Sequence, residues 1–204
     1  MDAALREAQL GNIERARQDV SSGLQIASTR DVRVLAAVAL ACVGDASRAR
    51  ALADDLQKQF PLNTMLNHYW LPVIRACIEL RGNHPDRVIS LLEQTAPYDL
   101  AFPWPEYTES GQMHPPYVRG QAYLALHQGK EAASEFQKFV DHRTIVANSP
   151  LASLAHLGLA RAYVLQGDNV KARAAYQDFF ALWKDADPDI PILKEAKAEY
   201  SKLQ

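Results

Sequence analysis

A glycine followed by a polar residue recurs along the chain between segments of helical period. The places are Gly11-Asn12, Gly44-Asp45, Gly82-Asn83, Gly129-Lys130 and Gly167-Asp168, spaced 33, 38, 47 and 38 residues apart. Regular self-similarity on this scale means stacked supersecondary units, none of which can bury its apolar face alone. Around Gly44 the units are legible. Val34, Leu35, Val38 and Cys42 form one apolar stripe before the glycine, and Ala49, Leu52, Ala53 and Leu56 form another after it. Both stripes step by three and four, which is the period of a helix. Glycine suits the end of the first helix because it adopts positive φ without strain. A following Asp or Asn can cap the second helix. No stretch alternates as a strand would, and the abundance of alanine favours helices that pack closely.

Spacing within the units sharpens this reading. Counting Arg30 as position one puts Ala37 at eight, Gly44 at fifteen, Ala49 at twenty and Pro61 at thirty-two. A later unit has Gly120 at eight, Tyr123 at eleven, Ala132 at twenty and Phe136 at twenty-four, and the last has Ala160, Tyr163, Ala172 and Tyr176 at those places. Small residues at eight and twenty let paired helices approach, and aromatics fill the gaps they leave. In these positions the chain resembles the tetratricopeptide repeat (TPR) family, whose unit is a helix–turn–helix of about 34 residues. The resemblance implies an all-α, right-handed solenoid of about five helix pairs in a single domain. The repeats fall near 1–28, 30–63, 64–96, 113–146 and 150–184, with the third degenerate. A capping helix is expected over 188–203, starting at Asp187-Pro188-Asp189. Its inner face is Leu193, Ala196, Tyr200 and Leu203, and its outer face is Lys194, Glu195, Lys197 and Glu199.

One segment breaks the pattern. Residues 96–116 carry Pro97, Pro103, Pro105, Pro115 and Pro116 among Tyr98, Phe102, Trp104 and Tyr107. Proline forbids a continued helix, so a long loop insertion is expected. Its aromatics need a place to bury, either against the third and fourth repeats or as one lip of a groove.

Gross features exclude several classes of function. Charged residues are 23% of the chain and the formal net charge is −2, unlike the basic footprint of a nucleic-acid binder. The longest strongly apolar run, Val34 to Val43, is half the length of a membrane span. Met1-Asp2, with Arg6 and Glu7 close behind, leaves no signal-peptide core. The two cysteines, Cys42 and Cys77, belong to no metal-binding spacing, and two buried free thiols are favoured over a disulfide. The histidines are scattered, no triad can be assembled, and neither a catalytic residue, a metal nor a cofactor is expected.

The TPR resemblance places the functional surface on the concave side of the first helices. Transferred by position, that surface holds Val34 and Val38 in the second unit, and Tyr69 and Arg75 in the third. It holds Tyr117, Gln121 and Leu124, with His114, in the fourth, and Leu157, Arg161 and Val164 in the fifth. The insertion residues Phe102, Trp104 and Tyr107 stand beside it. An apolar peptide or partner loop in the groove is the leading expectation, and packing of the same residues between repeats is the alternative. A second function expected is a small-molecule sensor, with a pocket between the insertion and repeats three and four.

The segments 117–126, 132–150 and 159–203 also resemble the TPR tails of acidobacterial serine/threonine kinases and winged-helix regulators. That resemblance implies a regulatory module with a kinase or DNA-binding domain upstream, in which case Met1 is an added start. It implies a cytoplasmic location, or else the extracytoplasmic part of a membrane-anchored protein.

Overall fold

The computed structural model describes residues 1–101, 112–146 and 149–203, and all regular structure among them is helical. The helices are α1 (Asp2–Leu10), α2 (Ile13–Ile26), α3 (Arg30–Cys42), α4 (Ala46–Gln59), α5 (Leu71–Arg81), α6 (Pro85–Leu92), α7 (His114–Ala125), α8 (Gly129–Asp141), α9 (Arg143–Val146), α10 (Pro150–Leu165), α11 (Asn169–Leu182) and α12 (Pro191–Tyr200). They pack as consecutive pairs, α1 with α2, α3 with α4, α5 with α6, α7 with α8 and α10 with α11. The first helix of each pair also packs on the next first helix, in the order α1, α3, α5, α7, α10. A π-turn, Leu66–Trp70, leads into α5 where Pro72 has no N–H to donate.

One turn joins the helices of every pair. A residue at positive φ is followed by an N–H that reaches back to a carbonyl five residues earlier. These bonds run from Asn12 to Glu7, Asp45 to Leu40, His84 to Glu79 and Gln128 to Tyr123, each at 2.9 Å, and from Asp168 to Tyr163 at 3.0 Å. This is the Schellman closure of a helix end. Its left-handed residues are Gly11, Gly44, Asn83, His127 and Gly167. The expected turn glycines are therefore corrected in two pairs. Gly82 has an ordinary φ of −77°, and the left-handed position passes to Asn83. Asn and His are among the side chains that tolerate this region best. Gly129 instead opens α8, where a Cβ would lie 2.7 Å from the Ala162 carbonyl oxygen, so it serves close approach to α10. Capping is also partial. Asp45 and Asp168 accept from Arg48 and Lys171 N–H groups, whereas Asn12 donates to Glu7 Oε2 at 2.7 Å.

The core consists of two apolar clusters that meet at α7. One is built from the first three pairs, with Val34 to Ala41 of α3 buried on every side, and the other from α8, α10, α11 and α12. In the second cluster the Phe136 ring is held between two helices. A Cβ on Gly120 would stand 2.7 Å from it, and one on Gly158 2.6 Å. At the seam, Arg119 of α7 is 6% exposed and binds the Leu92 carbonyl, Thr95 Oγ1, Asp99 and Glu135, while Lys138 Nζ reaches both carboxylates at 3.0 and 2.9 Å. Burial opposes its charge, yet Asp99 and Glu135 hold it above the ordinary arginine value.

The insertion is shorter than expected at both edges. A 3₁₀ turn, Glu93–Tyr98, continues from α6, and His114 to Pro116 already belong to α7, whose first turn tolerates proline. Phe102, Trp104 and Tyr107 lie outside the described residues. The last helix also starts later than expected, at Pro191, because Asp187 folds the preceding segment into a turn by accepting the Asp189 N–H at 2.9 Å. Glu199 does not face outward. It is drawn inward by Arg161 and by the Tyr176 hydroxyl. No helix of the described residues is long and apolar enough to cross a membrane.

Candidate functional site

The inner helices curve until the two ends of the stack meet. α1 packs on α10, and Gly11 sits so close to α12 that a Cβ there would lie 3.2 Å from Pro191 Cβ. α12 is held in place by a two-point ion pair: Arg161 Nε and Nη2 donate to Glu199 at 3.0 and 2.8 Å, and Glu195 approaches at 3.4 Å. Tyr176 completes the carboxylate by donating its hydroxyl at 2.8 Å. Burial opposes the Arg161 charge, but Glu199 and Glu195 outweigh it and keep the guanidinium above its usual value.

The curvature frames a chamber of about 430 Å³, partly open to solvent, lined by α1, the start of α2, α3, α5, α7, α10 and α12. Apolar wall comes from Ala8, Ile13, Leu80, Val118, Leu151 and Ile192. Polar groups come from two positions of the repeat. Six residues before the left-handed turn residue stand Cys77, Gln121 and Arg161, and two residues before it stand Gln9, Cys42 and Arg81. Tyr117 adds a hydroxyl that accepts from Gln121 Nε2 at 2.9 Å. Burial pushes the Tyr117 phenol far up, with the Arg161 charge and the Gln121 bond acting against it, so its proton stays available for donation. The Gln9 amide is the exception to good pairing. Among the described residues its oxygen and nitrogen have no hydrogen-bond partner, and neither exposes surface to the chamber.

The structure divides the sequence-selected residues. Tyr117, Gln121 and Arg161, with His114, line the chamber. Val34, Val38 and Leu157 are buried within the helix stack at 0–1% exposure. Tyr69 lies behind the wall, its hydroxyl accepting the His114 N–H at 3.1 Å, and burial raises that phenol strongly. Arg75 turns away to α4, where it meets Gln57 at 2.8 Å. Leu124 is packed against the second cluster, and Val164 is exposed.

Sequence reasoning missed Gln9, Cys42, Cys77, Arg81, Ile192 and Glu195. The missing signal was the offset from the turn, which the displaced glycines of the third and fourth pairs obscured. A carboxylate also approaches His156 after all: Asp178 of α11 lies 3.9 Å from its Nδ1. That pair lies apart from the chamber lining. Comparison with family models, with curated proteins and with solved structures finds no match.

Proposed function

We propose that the chain is a TPR-type right-handed α-solenoid, capped by α12, and that it works as a non-catalytic binding module whose chamber takes one compact ligand. The observation that carries the ligand reading is the chamber itself, about 430 Å³, with Tyr117, Gln121, Arg81 and Arg161 among the residues of its wall. A volume of that order suits a small molecule. The chamber lies at the centre of the stack, a different place from the small-molecule pocket expected between the insertion and repeats three and four.

The protein-scaffold reading keeps support from a different surface. Ile26, Leu62 and Leu182 end, or closely follow, the second helices of their pairs and are 86%, 95% and 61% exposed. The setting in a larger bacterial signalling protein rests on the resemblance of the C-terminal half to regulatory tails.

The test is a thermal-shift screen of compact metabolites and of extended peptides, run on the parent and on Leu80→Trp, which narrows the chamber. Ligand that binds only the folded chain raises the melting temperature, by an amount that grows with the logarithm of free ligand over Kd. The expected result is a compact molecule that stabilises the parent more than Leu80→Trp, with affinity reduced about two- to tenfold in Tyr117→Phe. Binding that is undiminished in Leu80→Trp, or binding of extended peptides alone, refutes the chamber as the site.

A further inference from the structure

Two sulphurs in the chamber wall have a use that binding does not explain. Cys42 ends α3 and Cys77 lies on α5, so they belong to different helix pairs, yet their Sγ atoms are 3.8 Å apart. Both line the chamber. Cys77 is buried at 4% exposure, while Cys42 is half-buried and is the more accessible of the two. Arg81 Nε donates to the Cys42 carbonyl at 2.5 Å, and among the described residues no carboxylate pairs with that guanidinium. A cation is thus fixed beside one thiol of a close pair. No group of three or more His, Cys, Asp or Glu able to hold a metal occurs among the described residues.

We propose that Cys42 and Cys77 form a reactive dithiol that reduces a small hydroperoxide admitted to the chamber, with Cys42 as the attacking thiol and Cys77 as the resolving one. The division of roles follows the surroundings. Cys42 is the more accessible sulphur, and its hydrogen bond with Cys77 and the Arg81 charge hold its thiol below the ordinary value against the effect of burial. The same bond, together with burial, pushes Cys77 up. A thiolate is the nucleophile in such chemistry, and it forms where a cation and a donor stabilise it.

The steps balance. The Cys42 thiolate attacks one oxygen of the hydroperoxide, the O–O bond breaks, and the alkoxide or hydroxide leaves with the proton that Cys42 had lost. Cys42 is now a sulfenic acid. Cys77 then attacks the Cys42 sulphur, the S–O bond breaks, and the hydroxide leaves as water with the Cys77 proton. Two thiols and one hydroperoxide become one disulfide, one alcohol (or water) and one water. The sulphurs must close from 3.8 Å to about 2.05 Å. The two side chains lie on adjoining first helices, so that approach needs side-chain rotation and a small shift of α3 against α5.

The experiment uses the full chain, hydrogen peroxide as the probe, and intact mass with thiol alkylation as the readout. The parent is expected to lose two hydrogens in mass within one chain, to lose both alkylatable thiols together, and to recover them with dithiothreitol. Cys77→Ser is expected to stop at a sulfenic acid on Cys42 that a 1,3-dione traps. Cys42→Ser is expected to react at least about tenfold more slowly. Arg81→Gln should slow the first step while leaving the helical circular dichroism unchanged. Retention of both thiols in a folded parent, equal rates for the two serine variants, or disulfides only between chains each overturn the proposal. None of these outcomes depends on the ligand reading of the chamber.

Discussion

Replacing Gly158 by alanine tests the packing of the helix stack with a sign that helix propensity alone gets wrong. Gly158 lies inside α10, where alanine gains about 1 kcal/mol over glycine on intrinsic preference. The structure opposes that gain. A Cβ at 158 would meet three carbons of the Phe136 ring at 2.6 to 2.7 Å, against the roughly 3.5–4.0 Å of a relaxed carbon contact. The ring has no retreat, because Gly120 of α7 already lets it approach to 2.7 Å of a virtual Cβ on the other side. Overpacking of this kind costs about 1–3 kcal/mol, or more where the group cannot move, so the net effect is a loss of about 1–2 kcal/mol. For a chain of this length each kcal/mol moves the melting temperature by about 2–4 °C. Differential scanning calorimetry should show a fall of about 2–8 °C. Adding Phe136→Leu to Gly158→Ala removes the overlap, so the double variant should be at least about 0.5 kcal/mol more stable than the sum of the single effects. A Gly158→Ala variant as stable as the parent, or more so, refutes the reasoning.

Other perturbations follow from the same structure. Arg119→Ala leaves Asp99 and Glu135 buried with only Lys138 as a cation, and should cost about 3 kcal/mol, read as a lower urea midpoint with an unchanged slope. Arg161→Glu places a carboxylate beside Glu199 and Glu195, and should release α12, read as faster amide exchange over residues 191–200 with α3 unaffected. His156 has a folded-state pKa depressed first by burial, with Arg143 adding and Asp178 opposing. Its neutral form is therefore favoured in the fold. The stability it contributes is fully present above the ordinary value of 6.5 and is lost as the pH falls below it. His156→Gln should flatten the fall in melting temperature between about pH 7.5 and 5.5.

The helix pairs were legible because their physics is local. Small residues at Ala37, Gly120, Ala132 and Ala160, and rings at Phe136 and Tyr176, are demanded by neighbouring helices and recur with the unit. The turns were less so. A left-handed residue is required in each pair, but glycine is not, and Asn83 and His127 meet the need while Gly82 and Gly129 draw attention to the wrong places. Helix ends near proline were also displaced, at Pro116 and Pro188, since proline is as much at home in a first turn as in a loop. The site was half legible. His114, Tyr117, Gln121 and Arg161 follow from the inner face of a first helix. Gln9, Cys42 and Arg81 do not, because they stand at helix ends and become neighbours only when the stack curves. The meeting of Gly11 with Pro191 joins residues 180 apart, and no repeat position records it.

Closure of the two ends of the stack is the claim on which the chamber depends. A spin-label distance measurement between Arg15→Cys and Asp189→Cys, both exposed and flanking the seam, tests it directly in a Cys42→Ser, Cys77→Ser background. Closure requires a single narrow distribution at the short end of the measurable range, unchanged by dilution. A long or broad distribution, with the first pair of helices swinging free of α12, would contradict the account.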